Sequence, residues 1–246
     1  MNENTYALVT GASRGIGKSI TQKLLAQGAN VIGTARSSEF IDEFTSNNRF
    51  EGLHVDLEQP EEIEQLIKPL FQRELAPNVL INNAGIFIES GFDTEDDPWL
   101  NSWDKTMQVN LRASAILSKW ALNRWEKEGG GILINVASRA AYRGDTQEYA
   151  AYAASKGGMV AFTKSIARDF GKKGISAYSI APGFIKTDMA MDSIKVYGEE
   201  YLTEGMAFDE ITSPGEVGEL VAFLASGKVR HMTGSTFHIN GGSYMI

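Results

Sequence analysis

Residues 6–28, YALVTGASRGIGKSITQKLLAQG, read as a strand, a glycine-rich turn and a helix in direct succession. Tyr6–Thr10 is a short apolar run that ends at Gly11, the length of a buried strand rather than of a helix. Beyond the turn Gly11-Ala12-Ser13-Arg14-Gly15-Ile16-Gly17, the side chains of Ile16, Ile20, Leu24 and Leu25 mark one face at helical spacing. Gly28 supplies the stop. Strand, tight turn and helix in that order open a βαβ unit.

The same alternation runs through the chain. Asn30–Thr34, Gly52–Val55, Asn78–Ile81, Ile132–Val136, Ile175–Ile180 and Ser235–Ile239 are further strand-like runs. Pro60–Gln72, Trp103–Glu126, the alanine-rich run around Tyr152 and Pro214–Ala225 read as helices, and the triple glycine Gly129–Gly131 stops the second of them. The strands are continuously apolar, as they must be when helices cover both faces of a parallel sheet. The expected fold is therefore α/β: one doubly wound Rossmann-fold domain over residues 1–246, with about seven parallel strands. No internal repeat or linker divides it.

Composition narrows the function. The 246 residues are 43% hydrophobic and 22% charged, ordinary for a globular chain, and the net charge of -8 argues against a general nucleic-acid or anionic-membrane surface. There is no cysteine, so disulfide and thiolate chemistry are absent. The start of the chain has neither a basic n-region nor an apolar h-region, and no window holds 18 uncharged apolar residues. The expected location is cytoplasmic. His54, His231 and His238 match no metal-site spacing, so no metal is expected.

In a doubly wound sheet the turn after the first strand is where a dinucleotide pyrophosphate meets free N–H groups at a helix N-terminus. Here the spacing is G-x-x-x-G-x-G, and its glycines allow close backbone approach to phosphate. An NAD site usually places a carboxylate after the second strand for the ribose 2′-hydroxyl. This chain has Thr34-Ala35-Arg36-Ser37-Ser38 there, with no acid before Glu39. Arg36, with Arg14 in the glycine turn, suits a 2′-phosphate, because a guanidinium makes forked, charge-assisted bonds to phosphate. NADP(H) over NAD(H) is the expected cofactor preference.

Residues 136–167, VASRAAYRGDTQEYAAYAASKGGMVAFTKSIA, carry the chemistry. On a helix Tyr152 and Lys156 share a face. An ammonium about 4 Å from a phenol, at an effective dielectric of roughly 20, favours the phenolate by on the order of 4 kcal/mol, about three pKa units. That shift would bring a tyrosine from near ~10 into the range of proton transfer.

TGASRGIG at residues 10–17, NNAG at 82–85, Asn110 in VNL, Ser138, YAASK at 152–156 and PGFIKT at 182–187 resemble, in order and spacing, the short-chain dehydrogenase/reductase family. The resemblance covers essentially the whole chain, and the ending TGSTFHINGGSYMI looks most like its 3-oxoacyl-[acyl-carrier-protein] reductase branch. It implies a catalytic set of Asn110, Ser138, Tyr152 and Lys156. Tyr152 would exchange a proton with the substrate oxygen, and Ser138 would hydrogen-bond that oxygen. Lys156 would lower the Tyr152 pKa and hold the nicotinamide ribose, and Asn110 would hold a water linking Lys156 to solvent. On the cofactor side it implies Gly11, Ala12, Ser13, Arg14, Gly15, Ile16 and Gly17 around the pyrophosphate and adenosine, Arg36 at the 2′-phosphate, and Asp56 with Leu57 at the adenine. Asn83, Ala84 and Gly85 would follow the path to the ribose, Ile185 and Thr187 would meet the carboxamide, and Pro182 and Gly183 would shape the turn beside it. Asn82 would tie neighbouring strands.

The implied reaction is reversible hydride transfer between nicotinamide and a small carbonyl or secondary-alcohol substrate. Reduction of a 3-oxoacyl group on acyl-carrier protein is the alternative, and a non-catalytic NADP(H)-binding scaffold is the alternative from another class. The acidic runs Trp125–Gly129 and Glu89–Asp97 would repel an acidic carrier; Lys172 and Lys173 are the candidate docking pair. The family places a substrate lid around residues 188–213, where Met189, Met191, Tyr197, Tyr201, Met206 and Phe208 would favour an apolar or ring-containing substrate. Assembly as a homotetramer is implied as well.

Overall fold

Alternation along each strand decides which side chain faces which layer. In the computed structural model, which describes residues 1, 4–37, 43–44, 46–187 and 202–246, β1 (Tyr6–Thr10) sends Ala7 and Val9 into one core and Leu8 into the other. The chain continues through α1 (Gly15–Ala26), β2 (Asn30–Ala35), β3 (Phe50–His54), α2 (Pro60–Glu62), β4 (Val79–Asn82), α3 (Asp96–Met107) and α4 (Ala113–Glu128). It closes with β5 (Gly131–Val136), α5 (Ala140–Arg143), α6 (Ala150–Phe170), β6 (Ile175–Pro182), α7 (Pro214–Ala225) and β7 (Thr236–Ile239). The seven strands pair in parallel in the order β3-β2-β1-β4-β5-β6-β7.

One face of the sheet is covered by α1 and α7, whose Ile20, Leu24, Val217 and Val221 meet Val9, Val31, Ile81 and Ile180. The other is covered by α4, α6 and the helical run after α2, with Ile63, Ile67, Leu117, Trp125 and Ile166 against Leu8, Ile32, Leu80 and Leu133. Each such fully buried aliphatic side chain contributes roughly 1.5–3 kcal/mol. Trp125 is fully buried, donates its indole N–H to the Pro77 carbonyl at 2.7 Å, and lies where a Cβ on Gly131 would be, 2.1 Å from its ring. No helix among the described residues is long and apolar enough to cross a membrane.

Two helices depart from expectation. The one expected over Trp103–Glu126 begins earlier, at Asp96, and is interrupted by a π turn at Gln108–Arg112 before α4 continues. The run after α2 passes through a π turn, Ile63–Ile67, and a 3-10 turn, Lys68–Gln72. Pro69 has no N–H to give a regular helix at that point. Most of the expected lid, residues 188–201, lies outside the described residues; of the rest, Leu202 is buried and Thr212 bridges Ile185.

Candidate active site

The sheet order reverses between β1 and β4, and the loops leaving their C-terminal ends diverge there, which is where a doubly wound fold opens a crevice. A cavity of about 750 Å³ occupies it. Its wall takes Gly11 and Arg14 to Gly17 from the turn after β1, Arg36 from the end of β2, Asp56 and Leu57 beyond β3, and Asn83 to Phe87 after β4. Ser138 to Ala140 after β5, Tyr152 and Lys156 on α6, and Pro182 to Ile185 with Thr187 after β6 complete it. Ala12 and Ser13 are outside this lining: Ala12 is buried and gives its N–H to the Thr34 carbonyl at 2.9 Å. Asn110 is also fully buried and behind the wall.

At the β1 end, α1 starts without a side-chain cap and without an acidic residue in its first turn. Its leading N–H groups are thus left for an anion, favoured further by the helix dipole. Gly11 and Gly15 hold φ of +66° and +52°, a region that side chains with a Cβ rarely adopt. The turn is fastened from below by Asn83, whose Nδ2 donates to the Thr10 carbonyl at 2.9 Å and to the Gly11 carbonyl at 3.2 Å. Thr10 Oγ1 accepts the N–H groups of Asn83 and Ala84, each at 3.0 Å. The Asn83 side chain is therefore a brace for the turn, and the Thr10 hydroxyl is a partner the sequence reading missed. Arg14 and Arg36 are exposed at the rim and form no ion pair with a described residue. A capless helix start, a glycine cradle and two guanidiniums at the rim fit a phosphorylated dinucleotide.

At the β5 end, Lys156 is 3% exposed and donates Nζ to the Val136 carbonyl at 2.8 Å. Asn110, in the π turn, accepts the Ile86 N–H at 2.8 Å and donates to the Ile86 carbonyl at 3.0 Å and to Ser155 Oγ at 3.1 Å. Ser155 in turn donates to the Tyr152 carbonyl at 2.7 Å, so Asn110 clamps the loop after β4 to the turn that carries Tyr152. A Cβ on Gly85 would stand 3.3 Å from Lys156 Nζ and 3.4 Å from Asn110 Oδ1. Asn82, as expected, ties strands: its Nδ2 donates to Asn135 Oδ1 at 2.8 Å, and Asn135 donates to Thr163 Oγ1 at 2.8 Å, all three being fully buried. Phe87 stacks on Tyr149 at 3.8 Å and meets the Tyr152 ring edge-on at 4.9 Å, an aromatic wall with no marker in the sequence.

The electrostatics correct the expectation for Tyr152. Burial pushes its phenol above the ordinary tyrosine range, and the Ser138 hydrogen bond opposes this only in part. Lys156 Nζ is 5.8 Å from the Tyr152 ring centre. Burial also weakens the lysine's own hold on its proton, to a pKa of about 8. A lysine at about 8 when folded and 10.5 when exposed binds fewer protons in the folded chain between those values. Its contribution to stability therefore rises with pH across that window, by up to about 3 kcal/mol. Urea midpoints at about pH 7.5 and 9.5, below the tyrosine range, are expected to show this rise in the wild type and not in Lys156→Met; equal slopes would refute it.

Lys172 and Lys173 follow the C-terminal end of α6, at the start of β6, whereas the cavity lies at that strand's far end. Eight strand residues put roughly 25 Å between them and the cavity of the same chain. Lys173 is also paired with Glu126 at 2.8 Å.

The chain is similar in sequence and fold to known proteins. A family model described as Enoyl-(Acyl carrier protein) reductase matches residues 11–244. The chain is 38% identical over 254 residues to 3-oxoacyl-[acyl-carrier-protein] reductase FabG of Vibrio cholerae serotype O1, with 99% of each chain covered. Among solved structures, 4-hydroxyisoleucine dehydrogenase complexed with NADH superposes with a TM-score of 0.89 at 28% identity, covering 97% of this chain and 98% of the other. A putative NAD(P)-dependent gluconate 5-dehydrogenase from Beutenbergia cavernae with bound NADP gives 0.88 at 28% identity, covering 97% and 96%.

Proposed function

The chain belongs to the short-chain dehydrogenase/reductase family, and from that premise we propose that it moves hydride reversibly between NADP(H) and a carbonyl or secondary-alcohol carbon, with Tyr152 handling the proton. The observation that carries this reading is the placement of Ser138, Tyr152 and Lys156 on one wall of the cavity whose other end holds Arg14 and Arg36. Bound nicotinamide supplies the hydride in reduction and takes it up in oxidation. Tyr152, which burial keeps protonated, gives its hydroxyl proton to the substrate oxygen as negative charge develops there. Ser138 Oγ, held by the Ala140 N–H at 3.1 Å, donates a second hydrogen bond to that oxygen. Lys156, an acid of about 8, returns a proton to the tyrosinate far more readily than an ordinary lysine would. The Asn110 amide is engaged with Ile86 and Ser155, so it positions the loop after β4 beside Tyr152 and Lys156.

The same reading assigns the 2′-phosphate to Arg36 and Arg14. Losing a charge-assisted bond costs about 1.5–3 kcal/mol, so Arg36→Ala is expected to weaken NADPH binding roughly 10–100-fold and to leave NADH within about threefold. Fluorescence titration with both cofactors reads this directly; an unchanged NADPH to NADH ratio would overturn the assignment. Loss of NADPH absorbance against ketones, aldehydes and β-ketoacyl thioesters tests the reaction, and binding without turnover on any of them would favour the scaffold reading.

Reduction of a 3-oxoacyl thioester is favoured by one observation, the 38% identity to a protein of that name. If the substrate is carrier-bound, the carrier cannot reach this chain's own cavity from Lys172 and Lys173. The family's lid over residues 188–213 and its tetramer remain parts of this proposal. Support for assembly comes from Met245 and Ile246, 83% and 75% exposed at the end of the chain, and light scattering would test it.

A further inference from the structure

Arg139 has no part in the chemistry just described, yet it follows Ser138 directly and lines the same cavity. Its backbone is fixed, its N–H bonding to the Pro182 carbonyl at 2.9 Å across the ends of β5 and β6. Its guanidinium lies over the Phe184 ring at 4.3 Å, and Nη1 donates to Ser243 Oγ at 2.6 Å. No carboxylate of a described residue comes within ion-pair distance. Asp145 stands 4.0 Å from Arg143, and Glu89 is engaged by the Tyr149 hydroxyl at 3.2 Å. Burial, and then the neighbouring Arg143, make the charge on Arg139 harder to hold than on a free arginine, and Asp145 offsets this only in part. A cation taken partly out of water with no carboxylate paired to it is costly. A serine hydroxyl needs no guanidinium to bond it, and a ring stack needs no full charge. What this geometry does suit is a planar anion, which the free edge of the fork can take through two parallel bonds.

We propose that Arg139 makes this a site for substrates that carry a carboxylate, held by its guanidinium while Ser138 and Tyr152 engage the oxygen to be converted. The substrate class is then a keto acid and its hydroxy acid, a choice that rests on the hydride-transfer reading above and narrows it. The carboxylate site is distinct from the 2′-phosphate site. Arg14 and Arg36 follow β1 and β2, whereas Arg139 follows β5 on the far side of the sheet's switch point. Arg143, exposed and paired with Asp145, would lend long-range attraction at the mouth rather than a bond.

The test compares short aliphatic keto acids with their methyl esters, using NADPH and wild-type, Arg139→Met, Arg139→Lys and Ser243→Ala proteins. The wild type is expected to favour the acids in kcat/KM by on the order of 100-fold. Arg139→Met should bring the ratio to within about threefold of unity, and Arg139→Lys should fall between, since it keeps the charge and loses the fork. Ser243→Ala, which removes only the tie to the C-terminal segment, should keep the wild-type preference. A wild type that turns over acids and esters alike, or a preference that survives in Arg139→Met, overturns the proposal. If it does so while NADPH-linked turnover still depends on Tyr152, the hydride-transfer reading stands and the carboxylate site alone falls. A second readout is independent of turnover. With NADP-saturated protein, so that the 2′-phosphate site is filled, hexanoate should raise Tm in the wild type, and hexanamide should not. Should Arg139→Met fail to fold, the acid to ester ratios of the wild type and Arg139→Lys decide the matter alone: equal ratios in the two proteins would refute a role for the fork.

Discussion

Tyr152→Phe is expected to lower kcat for reduction by 10²–10⁴-fold, about 3–5 kcal/mol of barrier, while NADPH affinity changes by less than about threefold. The substitution removes one hydroxyl and keeps the ring that Phe87 meets edge-on at 4.9 Å, so packing at the site survives. What disappears is the proton. No other described side chain is placed to replace it: Ser138 is a far weaker acid, and Lys156 points at the Val136 carbonyl at 2.8 Å. Following NADPH absorbance alongside fluorescence titration separates the two effects. A variant retaining more than about a tenth of wild-type kcat would remove Tyr152 from the reaction.

Gly17→Ala is expected to weaken NADPH binding by 100-fold or more and to destabilise the chain by roughly 1–3 kcal/mol. This is a steric argument, since Gly17 has an ordinary backbone conformation. A Cβ there would stand 2.0 Å from the Gly11 carbonyl oxygen and 2.5 Å from Asn83 Nδ2. Those two atoms bond each other, so the methyl group would split the brace that shapes the turn. Helix α1 cannot retreat to make room. On its other side Gly218 of α7 approaches so closely that a Cβ would meet Ser19 Oγ at 2.8 Å. The strain therefore falls on the phosphate-facing loop. Urea denaturation gives the stability change, and the same titration gives the binding change; wild-type affinity would show that the turn is not the pyrophosphate site.

Much of this was legible in the chain itself. All seven strands appear within about two residues of their apolar runs, because the central ones are covered on both faces and are mostly apolar; the edge strands β3 and β7 are only partly buried. The glycine turn and the Tyr152–Lys156 pair were readable because both are local: one is a backbone requirement, the other a helical spacing. Features made by distant residues were not. The Asn110 clamp joins positions 24 and 45 residues away, and the Arg139 bond to Ser243 spans 104. The π turn that carries Asn110 has no proline or glycine to announce it. The pKa of Tyr152 was misjudged in sign because spacing measures the approach of a charge and says nothing of the water removed around both partners.

The strand order has a further consequence, for how the chain reaches this structure. β1 pairs with β2 across a short crossover, but its other neighbour is β4, and Ala7 meets Val79, 72 residues later. The strands β3, β2 and β1 can assemble during synthesis as a three-stranded ribbon with one face and one edge unsatisfied. The second half can only add to it by closing that long loop, a barrier set by chain entropy before any contact rewards it. The crevice for the dinucleotide lies on this seam, so a ligand bridging the glycine turn and the loop after β4 would hold together the two parts that are last to meet.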